Sequence, residues 1–207
     1  MNPLRHPRKL THFMALRVLC GYSFEMRTTR KVYTEAMLYD YAVGALARKM
    51  RSVAELKRLL RNKAITSPNS ETMIEAVIRK LKDQKYLNDS QYAAVYSRNR
   101  KENEKFGKRR VITDLKAKGV HGEIIEAAVA TAYEDSTEEH LARQFVERKR
   151  IKKPASQKDA ARIFRMLLRA GFSSGTIYKV LKKWNIEDEL LNVLETETTE
   201  IPNDSSS

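Results

Sequence analysis

A phrase of about fifteen residues occurs three times in this chain, and that recurrence limits the fold more than any other feature. Its central copy is FGKRRVITDLKAKGV, Phe106 to Val120; upstream it reads SVAELKRLLRNKAI, Ser52 to Ile65, and downstream KDAARIFRMLLRAGF, Lys158 to Phe172. Aligning Leu60, Leu115 and Leu167 gives spacings of 55 and 52 residues and brings Ile65, Val120 and Phe172 into register. A near-constant period of this size signals one structural unit used three times. In the central copy Val111, Ile112 and Leu115 gather on one side of a 3.6-residue period, while Arg109 and Lys116, seven apart, stack on a flank. Gly119 then supplies a helix stop, because glycine enters the left-handed conformation cheaply.

The surrounding residues extend each phrase into three short helices. With only 7 Gly and 5 Pro in 207 residues, helix is favoured almost throughout. The first unit, residues 33–87, opens with a helix from Thr34 to Lys49 that turns Leu38, Tyr41, Ala42, Ala45 and Leu46 inward. Ser52 and Glu55 form a capping box for the second helix, which buries Val53, Leu56, Leu59 and Leu60. A third helix near 70–84 places Ile74, Val77, Ile78 and Leu81 inside. The second unit, 88–135, repeats the pattern with helices at 89–104, 107–118 and 121–133, and the third, 136–185, with helices near 137–150, 156–170 and 173–184. Ile74, Ile125 and Ile177 match across the three third helices. Units this small bury little alone and must share faces. The expectation is an all-α chain of three tandem three-helix repeats, forming an elongated, curved molecule. Residues 1–32 read as a largely irregular basic arm, and 186–207 as a mostly disordered acidic tail.

Charge narrows the partners. The formal net charge is +14, unevenly spread: residues 186–207 hold seven acids and no Lys or Arg, which leaves residues 1–185 with 40 bases against 19 acids, a net +21. A body that basic expects polyanions, and nucleic acid is the commonest. Arg17 interrupts the apolar run near the N-terminus and no small-x-small site follows, so the reading rejects a cleaved export signal. No apolar run approaches a membrane span, and Cys20, the single cysteine, excludes a disulfide framework. A cytoplasmic, monomeric protein without membrane contact is expected.

Catalytic signatures are weak. Glu55-Leu56-Lys57 and the stretch Glu102 to Lys105 resemble half of a metal-nuclease motif, but both lie in helical segments with no strand beside them. His6, His12, His121 and His140 lack ligand spacing, and there is no phosphate-binding glycine loop. No enzyme activity, metal or cofactor is expected. Tyr33, Tyr39, Tyr41, Tyr86, Tyr92 and Tyr96 could stack bases, yet at helical spacing most are read as packing residues. The basic flanks are the candidate contact residues. Arg48, Lys49 and Arg51 cluster at the first helix–helix corner, and Arg58 and Arg61 flank the second helix. Lys108, Arg109 and Arg110 open the central helix, with Lys116 on its flank; cations at a helix N-terminus oppose the dipole and suggest an external anion. Arg148, Lys149, Arg150, Lys152 and Lys153 form the densest run, and Arg162, Arg165 and Arg169 a stripe at i, i+3 and i+7.

Four stretches together resemble the RecX family of regulatory proteins: ALARKMRSVAEL (Ala45 to Leu56), YLNDSQYAAVYSRNR (Tyr86 to Arg100), FGKRRVITDLKAKGV (Phe106 to Val120) and MLLRAGFSSGTI (Met166 to Ile177). Their order and spacing cover about residues 34–184. The resemblance implies three tandem three-helix repeats. It also implies a protein that lies in the groove of the filament formed by the recombinase RecA on DNA, suppressing ATP hydrolysis and strand exchange during repair, recombination and the SOS response. The basic residues named above then become candidate contacts to RecA or to single- and double-stranded DNA, without sequence preference. The alternative is a sequence-specific helix-turn-helix regulator, since GFSSGTIYKVLKKW, Gly171 to Trp184, offers Thr176, Tyr178 and Lys179 to a groove.

Overall fold

The computed structural model describes residues 32–184; the basic arm up to residue 31, Cys20 within it, and the acidic tail from 185 lie outside the described residues. The helices run in three consecutive groups: α1 (Glu35–Arg48), α2 (Val53–Ala64) and α3 (Ser70–Asp83); α4 (Asp89–Glu102), α5 (Lys108–Ala117) and α6 (Gly122–Ala132); α7 (Glu138–Arg148), α8 (Gln157–Arg169) and α9 (Ser174–Lys182). No strand occurs among the described residues. The starts follow from local chemistry. Thr34, Ser52, Asn88, Thr137 and Ser156 each accept a backbone N–H with the side chain, and Glu55 returns the bond to the Ser52 backbone, completing the capping box.

Periodicity then selects the buried faces. Leu38, Ala42 and Ala45 of α1, Leu56 and Leu60 of α2, and Ile74, Val77, Ile78 and Leu81 of α3 are buried together. The matched leucines Leu60, Leu115 and Leu167 are fully buried, as are the matched isoleucines to within 1 % exposure. The first three helices close around their own apolar cluster, whereas α4 to α9 share one continuous core. Tyr92 is buried, and Tyr33, Tyr39, Tyr41 and Tyr96 pack half-buried against the cores; Tyr86, expected to pack, is 63 % exposed.

One register expectation fails for a clear reason. After α5, Gly119 takes φ 72° and the Val120 N–H reaches back to the Leu115 carbonyl at 3.2 Å; after α8, Gly171 takes φ 92° and Phe172 N–H reaches Leu167 at 3.3 Å. This left-handed closure folds Val120 and Phe172 into the core. The equivalent position in the first unit is Ala64, which stays helical, so the chain continues right-handed through Ile65 at φ −53°. Ile65 therefore points outward at 79 % exposure and is not the counterpart of Val120 and Phe172.

Candidate functional site

The second helices of the three units meet end to end. At the first joint the C-terminus of α5 abuts the N-terminus of α2: the Ser52 hydroxyl donates to the Lys118 carbonyl at 2.6 Å while accepting the Glu55 N–H at 3.1 Å. The Glu55 carboxylate pairs with Lys118 Nζ at 2.9 Å and accepts from the Tyr92 hydroxyl at 3.3 Å, and Asp89 accepts the Val53 N–H at 2.9 Å. Gly119 lies so close to α2 that a Cβ there would sit 2.5 Å from the Ala54 methyl. Burial works to raise the Glu55 carboxyl, but the bonds from Lys118 and the Ser52 backbone outweigh it and hold the group below the usual carboxylate range.

The second joint repeats this geometry with different chemistry. The Gly107 N–H donates to the Ala170 carbonyl at 2.8 Å, so the C-terminus of α8 abuts the N-terminus of α5. A Cβ on Gly171 would lie 2.3 Å from the Arg110 nitrogen. Phe106, Phe145 and Phe172 pack across the joint, the first pair tilted and the second edge-to-face, with centroids 6.2 and 5.8 Å apart. Glu138, at the start of α7, accepts from the Ser173 N–H, the Ser173 hydroxyl and the Thr176 hydroxyl, and so caps α9 from another helix. Burial would raise its carboxyl; these donors, helped by the Arg109 charge, lower it instead.

At both joints the carbonyl end of one helix abuts the amide end of another, so termini of opposite partial charge meet. At the start of α5 the Ala170 carbonyl takes the Gly107 N–H, while the Lys108, Arg109 and Arg110 side chains stay exposed. Arg110 also pairs with Asp114.

The remaining sequence candidates do not gather into one site. Arg48 and Lys49 are exposed at the first corner, while Arg51 is half-buried and its Nε has no hydrogen-bond partner. Arg58, Lys108, Arg109 and Lys116 are exposed. Arg61 pairs with Glu71 and Arg148 with Glu104, both near the surface. Glu139 pairs with Arg143 and Lys183, so neither Glu138 nor Glu139 neutralises the α8 stripe.

One group does converge. Lys149, Arg150, Lys152 and Lys153, in the turn after α7, and Arg162 of α8 line a cleft of about 550 Å³. Its apolar wall is Ile151, Pro154, Ala155, Ile163 and Met166, which the sequence reading passed over; the signal was the break that Ile151 and Pro154 make in the run RKRIKKP. Asp159, the one carboxylate in the lining, accepts from the Ser156 hydroxyl at 2.9 Å. Arg165 and Arg169 stay off the cleft, and Arg169 Nε folds back onto the Arg165 carbonyl at 3.3 Å. Among the described residues no acidic, histidine or cysteine cluster suits a metal, and no helix is long and apolar enough to cross a membrane.

With this geometry in place, known proteins give the chain its family. The regulatory protein RecX of Caldanaerobacter subterraneus subsp. tengcongensis is 30% identical over 142 residues, which span 69% of this chain and 68% of that protein. The chain belongs to the RecX family. The regulatory protein RecX of Bacillus pumilus is 36% identical over 147 residues, 70% of this chain and 54% of the relative. The family model for the second three-helix domain of RecX matches residues 88–129, from the N-cap of α4 to the last buried residue of α6. The crystal structure of RecX from Lactobacillus salivarius superposes with a TM-score of 0.54 at 24% identity, covering 73% of this chain and 96% of that one, and it shares the helical-repeat fold. The chain spans about half the length of the first curated RecX relatives it matches. One element of the helix-turn-helix alternative is spoken for: the Thr176 hydroxyl is held by Glu138 and Ser173 inside the RecX repeat.

Proposed function

We propose that this RecX-family chain is a non-enzymatic regulator that binds the RecA–DNA filament and inhibits its ATPase and strand-exchange activity, working in the cytoplasm where that filament forms. The observation that carries the reading is the extended similarity to relatives named regulatory protein RecX. Physical support comes from the two joints. They fix α8, α5 and α2 in one row, so the cations on them keep constant separations. A rigid ligand with several weak contacts binds a repeating filament by adding them, since each contact after the first is intramolecular. The regulator needs no cofactor for this.

The test is a RecA ATPase assay on single-stranded DNA. Adding the chain lowers the hydrolysis rate in a concentration-dependent way. A rate that stays unchanged at a several-fold excess of the chain over RecA overturns the reading. Genomic footprinting without RecA separates it from the helix-turn-helix alternative, because only a sequence-specific regulator leaves a sharp protected site.

A further inference from the structure

We infer that the cleft between the α7–α8 turn and α8 is a seat for one unpaired nucleotide of a single-stranded nucleic acid. Its cations hold the flanking phosphates, and its apolar wall receives the base. Among the described residues, Arg150, Lys152, Lys153 and Arg162 make no ion pair, although exposed cations elsewhere in the same repeat do, Arg148 with Glu104 and Arg143 with Glu139. With Lys149, five cations surround a hollow whose one carboxylate, Asp159, is engaged by Ser156; the excess positive charge favours an external anion as its counterpart.

The wall decides which anion. Ile151, Pro154 and Met166, all half-buried, and exposed Ala155 form a hydrophobic surface inside the ring of charge, and the volume of about 550 Å³ falls in the range of roughly 300–1,000 Å³ typical of ligand pockets. A plain phosphate-binding face needs no such surface. An acidic polypeptide brings carboxylates on flexible stems and has no flat face to place there. An unpaired nucleotide brings both parts, a charged backbone and a planar base with an apolar face. Duplex DNA offers the phosphates but keeps its base faces stacked, so the cleft favours a single strand. The left-handed conformation of Arg150, φ 51°, turns the chain sharply after α7 and sets Ile151 inward beside the cations.

This inference rests on the nucleic-acid part of the proposed function. It is tested without RecA, so its failure leaves the ATPase result standing and the reverse also holds. The full chain is titrated against fluorescently labelled dT15, a duplex of equal length, an abasic backbone of equal length and charge, and a poly-glutamate peptide. Two charge-matched variants accompany it: Lys152→Glu/Lys153→Glu in the cleft, and Arg165→Glu/Arg169→Glu on the same repeat but off it. The wild type should prefer dT15 to the abasic backbone by about fivefold, the low end of what one base contributes on an aromatic ring, since this wall is aliphatic. The cleft variant should lose that preference, and the off-cleft variant should weaken all anions alike while keeping it. Melting by circular dichroism confirms that both variants fold; should the Glu pair unfold, Lys152→Gln/Lys153→Gln takes its place. Equal affinity for dT15 and the abasic backbone overturns the inference, as does equal behaviour of the two variants. Tighter binding of poly-glutamate assigns the cleft to an acidic polypeptide instead, and tighter binding of duplex removes the base from the account.

Discussion

Replacing Gly171 by Ala tests the end-to-end contact most directly. Two costs arise. The residue sits at φ 92°, where a side chain costs about 1–2 kcal/mol relative to glycine. Its new methyl would also lie 2.3 Å from the Arg110 nitrogen, 2.6 Å from Arg110 Cβ and 2.9 Å from the Gly107 carbonyl oxygen. Two of these are backbone atoms, so no rotamer change relieves them and α5 must move away by about 1 Å. That displacement stretches the 2.8 Å bond from Gly107 to Ala170 beyond hydrogen-bonding range, a net loss of about 0.5–1.5 kcal/mol. It also loosens the Phe106–Phe145–Phe172 cluster, where each aromatic pair is worth about 0.5–1.5 kcal/mol. The expected total is about 3 kcal/mol, or a fall in Tm of about 6–12 °C for a chain of this size. Gly119→Ala makes the control. It has the same left-handed strain at φ 72°, but its close contact is the Ala54 methyl, and Ala54→Gly should restore the steric part of the loss. Urea and thermal unfolding of the three variants measure the difference. A cost of only about 1 kcal/mol at Gly171, equal to that at Gly119, would refute the reasoning, because strain alone would then explain both.

Two further outcomes follow from the core and from the carboxylates at the joints. Leu115→Ala removes a fully buried side chain and should cost about 2–5 kcal/mol, with Leu60→Ala and Leu167→Ala in the same range; an unchanged Tm for Leu115→Ala contradicts the face assigned to α5. Glu55 and Glu138 are both lowered from 4.5, so they bind protons more weakly folded than unfolded, and the stability they contribute is present above pH 4.5 and lost as the pH falls through their lowered folded values. Glu55→Gln and Glu138→Gln should therefore be less stable than the wild type at pH 7 and converge with it in acid; a gap that persists at pH 2 speaks against this account.

The fold was legible in the sequence wherever the signal was local. Capping residues such as Ser52 and Glu55 act within four positions, and the faces of α2, α5 and α8 follow a 3.6-residue period, so both could be read without knowing any neighbour. What could not be read are contacts between distant segments. Nothing near Glu138 announces that its partner is the start of α9, and nothing near Gly107 announces Ala170. The sequence did hold one overlooked clue: the aligned positions 64, 119 and 171 are Ala, Gly and Gly, and that single difference separates exposed Ile65 from buried Val120 and Phe172. For the candidate site, the cations were visible as a run, but the cleft required the apolar residues between them, and these have meaning only once the turn after α7 faces α8.

The alanine at position 64 gives the row of helices a polarity. Each junction needs a C-terminal carbonyl end closed by a left-handed glycine, with a neighbouring helix start pressed against it. At α2 that closing glycine is missing and the chain leaves through a right-handed turn, so this helix end lacks the closure that α5 and α8 share. At the start of α8 the Ser156 hydroxyl donates back to Asp159, where the equivalent Ser52 hydroxyl donates into another repeat. The row is thus asymmetric: the carbonyl ends of α5 and α8 are closed by glycine and seated on a neighbour, and that of α2 is not closed in this way. Converting Ala64 to Gly should therefore let α2 take the left-handed closure of α5 and α8 and fold Ile65 inward, where Val120 and Phe172 already lie.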